Sequence, residues 1–387
     1  MNGKDLAAPA RYMLLDGLRG VAALVVLCYH VGEGFATSPD TQVINHGYLA
    51  VDFFFMLSGF VIGTAYDGRW EKKLTVGNFF RRRLIRLHPM LILGALIGFA
   101  AFALQGFVQW DGTPVSIHWP LLALVLTVFF IPAFPGAPHE VRGNGELFPL
   151  NGPAWSLFFE YIGNILYALI LRKLPTKALF AVCALSAVGL CCFAVGNFSG
   201  SFHLGVGWSL ADYNFLGGML RLGFAFSAGL LMARLYRPRR IRYAFWICTL
   251  SIVALLLMPF VGDIEGDTGW WNGLYDTLCI VLAFPLILFV GASGDKGNEQ
   301  SGGLYDWLGR LSYPVYIVHY PLMYLFYAWV WAEGIAFSQC WYVAVGVVIT
   351  SIILAYVSLK YYDEPVREML SGKRPVRFFC RKASLSK

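Results

Sequence analysis

Leu15-Asp16-Gly17-Leu18-Arg19-Gly20-Val21-Ala22-Ala23-Leu24-Val25-Val26-Leu27-Cys28-Tyr29-His30 is too apolar for the surface of a soluble protein and too polar for an idle membrane span. Residues 14–32 are long enough to cross a bilayer as a helix. Asp16 and Arg19 interrupt the apolar run and no Ala-x-Ala site follows, so the segment reads as a retained first span rather than a cleaved signal peptide. Arg19 and His30 are eleven residues apart. On a helix that spacing leaves an angular offset of only about 20° and a rise of roughly 16 Å. One face therefore carries a guanidinium near one end and an imidazole near the other, with Asp16 close to the same face. Ionisable groups at bilayer depth are costly, and their default reading is functional. The competing reading has Arg19 snorkelling to one interface and His30 sitting at the other.

The rest of the chain extends the membrane reading. Of 387 residues, 58% are hydrophobic and 14% charged, whereas soluble domains are about a quarter charged. Eleven apolar segments qualify as candidate spans: 14–32, 47–66, 88–108, 118–135, 153–171, 177–195, 215–233, 241–262, 272–292, 311–332 and 338–360. Basic residues cluster between them: Arg69, Lys72, Lys73, Arg81, Arg82, Arg83 and Arg86; Arg172, Lys173 and Lys177; Arg234, Arg237, Arg239, Arg240 and Arg242; and the tail from Arg367. The positive-inside rule places all four clusters in the cytoplasm, and the loop with Asp263, Glu265 and Asp267 outside. Residues 118–135 must then begin and end on the outer side. Pro120, Pro132, Pro135 and Pro138 fit a re-entrant or interfacial segment there. The expected fold is all-α: a polytopic helical bundle of about ten spans with both termini cytoplasmic. Residues 1–366 form the membrane domain and 367–387 a basic tail. The net charge of +7 follows topology rather than a nucleic-acid surface. The eight cysteines lack metal-ligand spacing and read as packing residues.

Further polar residues interrupt the other spans. Asp52 falls in the second at a depth close to that of His30, where its carboxylate could orient the imidazole. Ser58-Gly59 permits close helix approach, a role favoured over a serine nucleophile. In Phe79-Phe80-Arg81-Arg82-Arg83-Leu84-Ile85-Arg86-Leu87-His88-Pro89, Arg82 and Arg86 share a helical face with Arg83 beside them. That cluster could grip phosphates, or simply set topology and bind anionic lipid. Trp155 suits an interfacial belt, Glu160 lies deeper and needs a partner, and Arg221 falls near the outer end of the seventh span. In Leu311-Ser312-Tyr313-Pro314-Val315-Tyr316-Ile317-Val318-His319-Tyr320-Pro321, His319 lies between two prolines that release backbone carbonyls.

In this order, LDGLRGVAALVVLCYH (15–30), GYLAVDFFFMLSGFVIG (47–63), FFRRRLIRLHP (79–89), PAWSLFFE (153–160), LGRLSYPVYIVHYPL (308–322) and YDEPVR (362–367) resemble the acyltransferase 3 family of polytopic membrane acyltransferases. Arg19 and His30 match the family's basic residue and histidine in the first helix. Phe79, Arg82, Arg83, Arg86 and Pro89 match its Phe-x-x-Arg-Arg-x-x-Arg-x-x-Pro pattern. Phe159 stands where valine is more usual. The resemblance implies ten spans, residence in a bacterial cytoplasmic membrane and O-acylation of carbohydrate or glycolipid acceptors, commonly with acetyl-coenzyme A. Many members carry an added extracytoplasmic esterase-like domain, which the chain ending at Lys387 is expected to lack.

On this reading His30 is the general base and Asp52 or Glu160 fixes its tautomer. Arg19 stabilises charge on the donor. Arg82, Arg83 and Arg86, with Ser58, Tyr313 and His319, bind the donor, and Trp155 meets the acceptor. No metal is expected. A variant acylates His30 itself before transfer. The contrasting hypothesis is a transporter that moves an acylated glycan or lipid without chemistry.

Overall fold

With no water to satisfy peptide groups, an apolar chain in lipid must close its hydrogen bonds within helices. The computed structural model describes residues 12–72, 74–237, 239–294 and 299–372, and these contain helices but no β-strand. The helices are α1 Met13–Glu33, α2 Ala50–Trp70, α3 Val76–Leu104, α4 His118–Val128, α5 Ala154–Leu169, α6 Thr176–Val195, α7 Asn214–Leu235, α8 Ala244–Leu257, α9 Trp270–Leu278, α10 Phe284–Ala292, α11 Glu299–Glu333, α12 Phe337–Ser358 and α13 Glu364–Leu370. A π turn, Cys279–Ala283, joins α9 to α10, and a second, Leu359–Asp363, joins α12 to α13. Lys73, Cys380 and residues 373–387 of the expected tail lie outside the described residues.

Among the described residues, eight stretches are long and apolar enough to cross a membrane. A total of ten requires both the 14-residue α8 and the 35-residue α11 to cross as well. The 11-residue α4 reaches only roughly 16 Å against an apolar thickness of about 30 Å. Contacts give the directions of its neighbours. Tyr313 of α11 bonds the Leu87 carbonyl, and Gln105 bonds that of Tyr324, so α3 and α11 run parallel. Arg19 meets Gly309 and His30 meets Tyr320, so α1 is parallel to α11 as well. α2 and α5 are parallel, because Ser58 meets Glu160 and Asp67 meets Tyr167, and both oppose α3, because Arg83 meets Glu160 and Phe79 meets Tyr167. α3 and α5 are thus antiparallel although α4 lies between them in sequence. A full crossing by α4 is incompatible with that arrangement.

Two backbone-close helix pairs build the centre. A Cβ at Gly59 would stand 2.1 Å from the Phe226 carbonyl oxygen, and one at Gly229 would stand 2.1 Å from that of Met56. Gly63 meets Ala233 one turn on, so α2 and α7 meet through small residues four apart. α1 and α11 approach in the same way, with Gly20 against the Leu308 carbonyl. Four of the seven described cysteines are buried as packing residues, whereas Cys28 and Cys192 face outward.

Arg221 locks α2 to α7. Its guanidinium is fully buried and donates to both Asp52 carboxylate oxygens, with Nη2 2.7 Å from Oδ2. It also donates to the Val206 and Tyr48 carbonyls at 2.6 and 2.8 Å. Asp52→Ala leaves this cation uncompensated. Thermal or denaturant unfolding in detergent should show a loss of about 3–5 kcal/mol; an unchanged unfolding curve would show that the pair carries no stability.

Candidate active site

At the end of the bundle where α1 finishes, a cavity of about 220 Å³ is walled by Tyr29, His30 and Glu33 of α1, Tyr48, Asn144, Glu146, Trp155, Trp208, Arg221, Tyr316 and Tyr320. His30 Nδ1 lies 2.8 Å from Glu33 Oε2. A carboxylate can only accept, so Nδ1 carries the proton and Nε2 is left as the basic nitrogen. Tyr327 holds this turn from α11, its hydroxyl donating to the His30 carbonyl and to Glu33 Oε2. Tyr29 and Tyr320 flank the imidazole edge-on at 4.9 and 4.8 Å. The Arg221 guanidinium lies 5.3 Å from the centre of the Trp155 ring.

The opposite end holds a larger cavity of about 640 Å³. Arg19, Arg69, Arg83, Arg86, Arg310 and Arg367 line it against three carboxylates, Asp16, Glu160 and Asp363, leaving an excess of positive charge. Arg19 is held by Asp16 at 3.2 Å and donates to Ser312 Oγ and the Gly309 carbonyl at 2.8 and 2.9 Å. Glu160 accepts from Arg83 and, at 2.8 Å, from Ser58. Excess cationic charge at a partly desolvated cleft suits a polyanion. The two cavities share Val51 and Tyr316 in their walls.

This geometry redistributes the residues expected from sequence. His30 and Trp155 line the smaller cavity; Arg19, Arg83, Arg86, Ser58, Tyr313 and Glu160 line the larger. Asp52 lines neither and is bound to Arg221, because the α2–α7 contact turns it away from α1. Glu160 is likewise taken by Arg83 and Ser58. The carboxylate on His30 is instead Glu33, three residues on, a spacing that sequence alone could have flagged. Arg82 is exposed and absent from the cavity wall, since the buried side of α3 carries Arg83. His319 lines neither cavity: it is fully buried, its Nδ1 2.9 Å from the Val315 carbonyl, and its ring lies 5.3 Å from that of His30.

Glu146, Asn144 and Trp208 had no sequence signal, because they sit on irregular segments. Residues 129–153 fold back beside the helices, and buried Arg142 stacks 3.7 Å from the Tyr324 ring while donating to the Pro149 carbonyl. Asn151 donates to the Ile317 carbonyl at 3.1 Å, the acceptor that Pro321 leaves free four residues on. Burial pushes the Glu146 carboxyl up to about 7, against the lowering by the Tyr324 hydroxyl, the Asn144 amide and the Arg142 charge, with Glu140 adding a small rise. Its folded value thus exceeds the ordinary 4.5. The native state holds this proton longer than the unfolded chain, so stability falls as pH rises from the ordinary value through about 7. Glu146→Gln removes that loss. Melting curves should show wild type losing stability relative to the variant between about pH 5 and pH 8, and parallel losses would contradict the assignment.

Comparison with known proteins places the chain in a family. The family model described as an acyltransferase domain matches residues 14–360. "Protein 2 in picA locus" of Rhizobium radiobacter is 40% identical over 190 residues, covering 47% of this chain and 94% of that protein. "Acyltransferase MdmB" of Streptomyces mycarofaciens is 25% identical over 393 residues, 94% of this chain and 93% of that protein. A Staphylococcus aureus (strain MSSA476) protein named "Putative O-acetyltransferase" is 24% identical over 383 residues, 92% of this chain and 58% of its own length. No solved structure matches the chain significantly. A multi-pass helical chain with this match over nearly its whole length belongs to the acyltransferase 3 family and is an acyltransferase.

Proposed function

We propose that the protein transfers a short acyl group, acetyl in the first instance, from acyl-coenzyme A to a hydroxyl of a carbohydrate or glycosylated acceptor. The observation that carries this reading is the meeting of two unlike cavities at Val51 and Tyr316, one rich in arginine and one holding His30. The arginine cavity suits the phosphates of the donor. The smaller cavity offers Trp155, Trp208 and several tyrosines as faces for a sugar ring, with Asn144 and Glu146 as hydrogen-bonding groups.

In the transfer step the acceptor hydroxyl attacks the thioester carbonyl while His30 Nε2 takes its proton. Glu33 holds the Nδ1 proton in place and stabilises the imidazolium that forms. The new C–O bond replaces the C–S bond, and the departing thiolate takes the proton back from the imidazolium. Arg19 stands on the donor side, where its charge can offset the developing oxyanion or thiolate. By the positive-inside rule the arginine cavity opens to the cytoplasm. The acyl group then crosses the membrane plane while coenzyme A stays behind.

Purified protein given radiolabelled acetyl-coenzyme A and methyl hexopyranosides should release coenzyme A and acylate the sugar. His30→Gln should lower kcat by about 100-fold or more and Glu33→Gln by about 10-fold or more. Full activity in His30→Gln would remove the imidazole from the mechanism. A radiolabelled protein adduct that disappears in His30→Gln would replace direct transfer by an acyl-histidine route.

A further inference from the structure

We infer that Tyr316, together with Val51, forms a fixed constriction that selects the length of the acyl group. The inference rests on the donor and acceptor cavities assigned above. These two residues are the side chains common to both cavity walls. They stand where the two cavities adjoin, so on this assignment an acyl group handed from the arginine cavity to His30 passes against them.

Their surroundings make the passage rigid. The Tyr316 hydroxyl lies 2.8 Å from Ser156 Oγ, and that hydroxyl in turn donates to the Pro153 carbonyl at 3.0 Å. Ser156 is itself in the wall of the arginine cavity. The Tyr316 ring is met edge-on by Phe54 at 5.7 Å, and the His319 ring lies 6.1 Å away. Tyr316 and Val51 are both buried, on α11 and α2. Neither side chain can swing out of the opening without breaking the Ser156 contact or displacing packed neighbours. Beyond the opening only about 220 Å³ is available for the acyl group and the acceptor hydroxyl together. A long acyl chain finds no room there, because it must share that volume with the sugar.

The arrangement separates the roles of the two cavities. The arginines recognise the common nucleotide part of every acyl-coenzyme A and are indifferent to chain length. Discrimination falls on the opening, and each added methylene that meets a fixed wall costs about 10-fold or more.

Purified protein in nanodiscs would be given acetyl-, butyryl- and hexanoyl-coenzyme A with methyl hexopyranosides, and coenzyme A release followed as kcat/KM. Wild type should favour acetyl over hexanoyl by about 100-fold or more. Val51→Ala and Tyr316→Leu should reduce that ratio to about 10-fold or less, whereas Tyr316→Phe, which keeps the ring, should retain most of it. Binding of desacyl-coenzyme A, measured by calorimetry, should stay within about 3-fold in all variants, since it depends on the arginines. The ratio rather than the rate is the readout, and Val51→Ala tests the wall even if Tyr316→Leu does not fold. A wild-type ratio preserved in Val51→Ala and Tyr316→Leu, or equal use of all three donors by wild type, would overturn the constriction. No turnover by wild type with any acyl-coenzyme A would instead overturn the donor assignment itself.

Discussion

The Arg221 guanidinium is the interaction on which the site depends. Fully buried, it spends its donors inside the protein, on Asp52, the Val206 carbonyl and the Tyr48 carbonyl. Those acceptors belong to α2, to the loop before α7 and to the turn before α2. One cation thus fixes three pieces of the wall that encloses His30. The glycine contacts between α2 and α7 bring the backbones close enough for this, and the pair in turn fixes their axial register.

The same constraint governs residues 129–153. A non-helical segment packed among membrane helices is tolerated only when protein satisfies its polar groups. Here Arg142 supplies a stacked cation and a donor to Pro149, and Asn151 takes up the carbonyl that Pro321 leaves open on α11. The proline kink and the irregular loop are therefore two halves of one arrangement. The aromatic cavity owes Glu146 and Asn144 to it.

Charge is distributed accordingly between the two ends. The arginine cavity is partly neutralised from within, by Asp16 on Arg19 and Glu160 on Arg83, so its cations are oriented before any anion arrives. The smaller cavity carries instead a histidine–carboxylate pair amid aromatic rings, suited to moving one proton rather than gripping phosphate. The family to which the chain belongs is one of acyltransferases. The structure adds two unlike cavities that have Val51 and Tyr316 in common.

Sequence by itself determined the membrane character, the helical class, the family, and the placement of Arg19 and His30 at opposite depths of one helix. Apolar runs and helical geometry are local properties, so a linear reading reaches them. It also located Arg83 and Arg86, because residues three apart on a helix share a face. Only the tertiary structure decided the partners. Asp52 is as close to His30 in expected depth as a carboxylate could be, yet the rotation of α2 against α7 commits it to Arg221. Arg82 and Arg83 are adjacent in sequence, and the packing of α3 buries one and exposes the other. Tyr316 of α11 and Val51 of α2 became common to the walls of two cavities. Which face of a helix meets which neighbour is set by close packing over long sequence separations, and no local pattern encodes it.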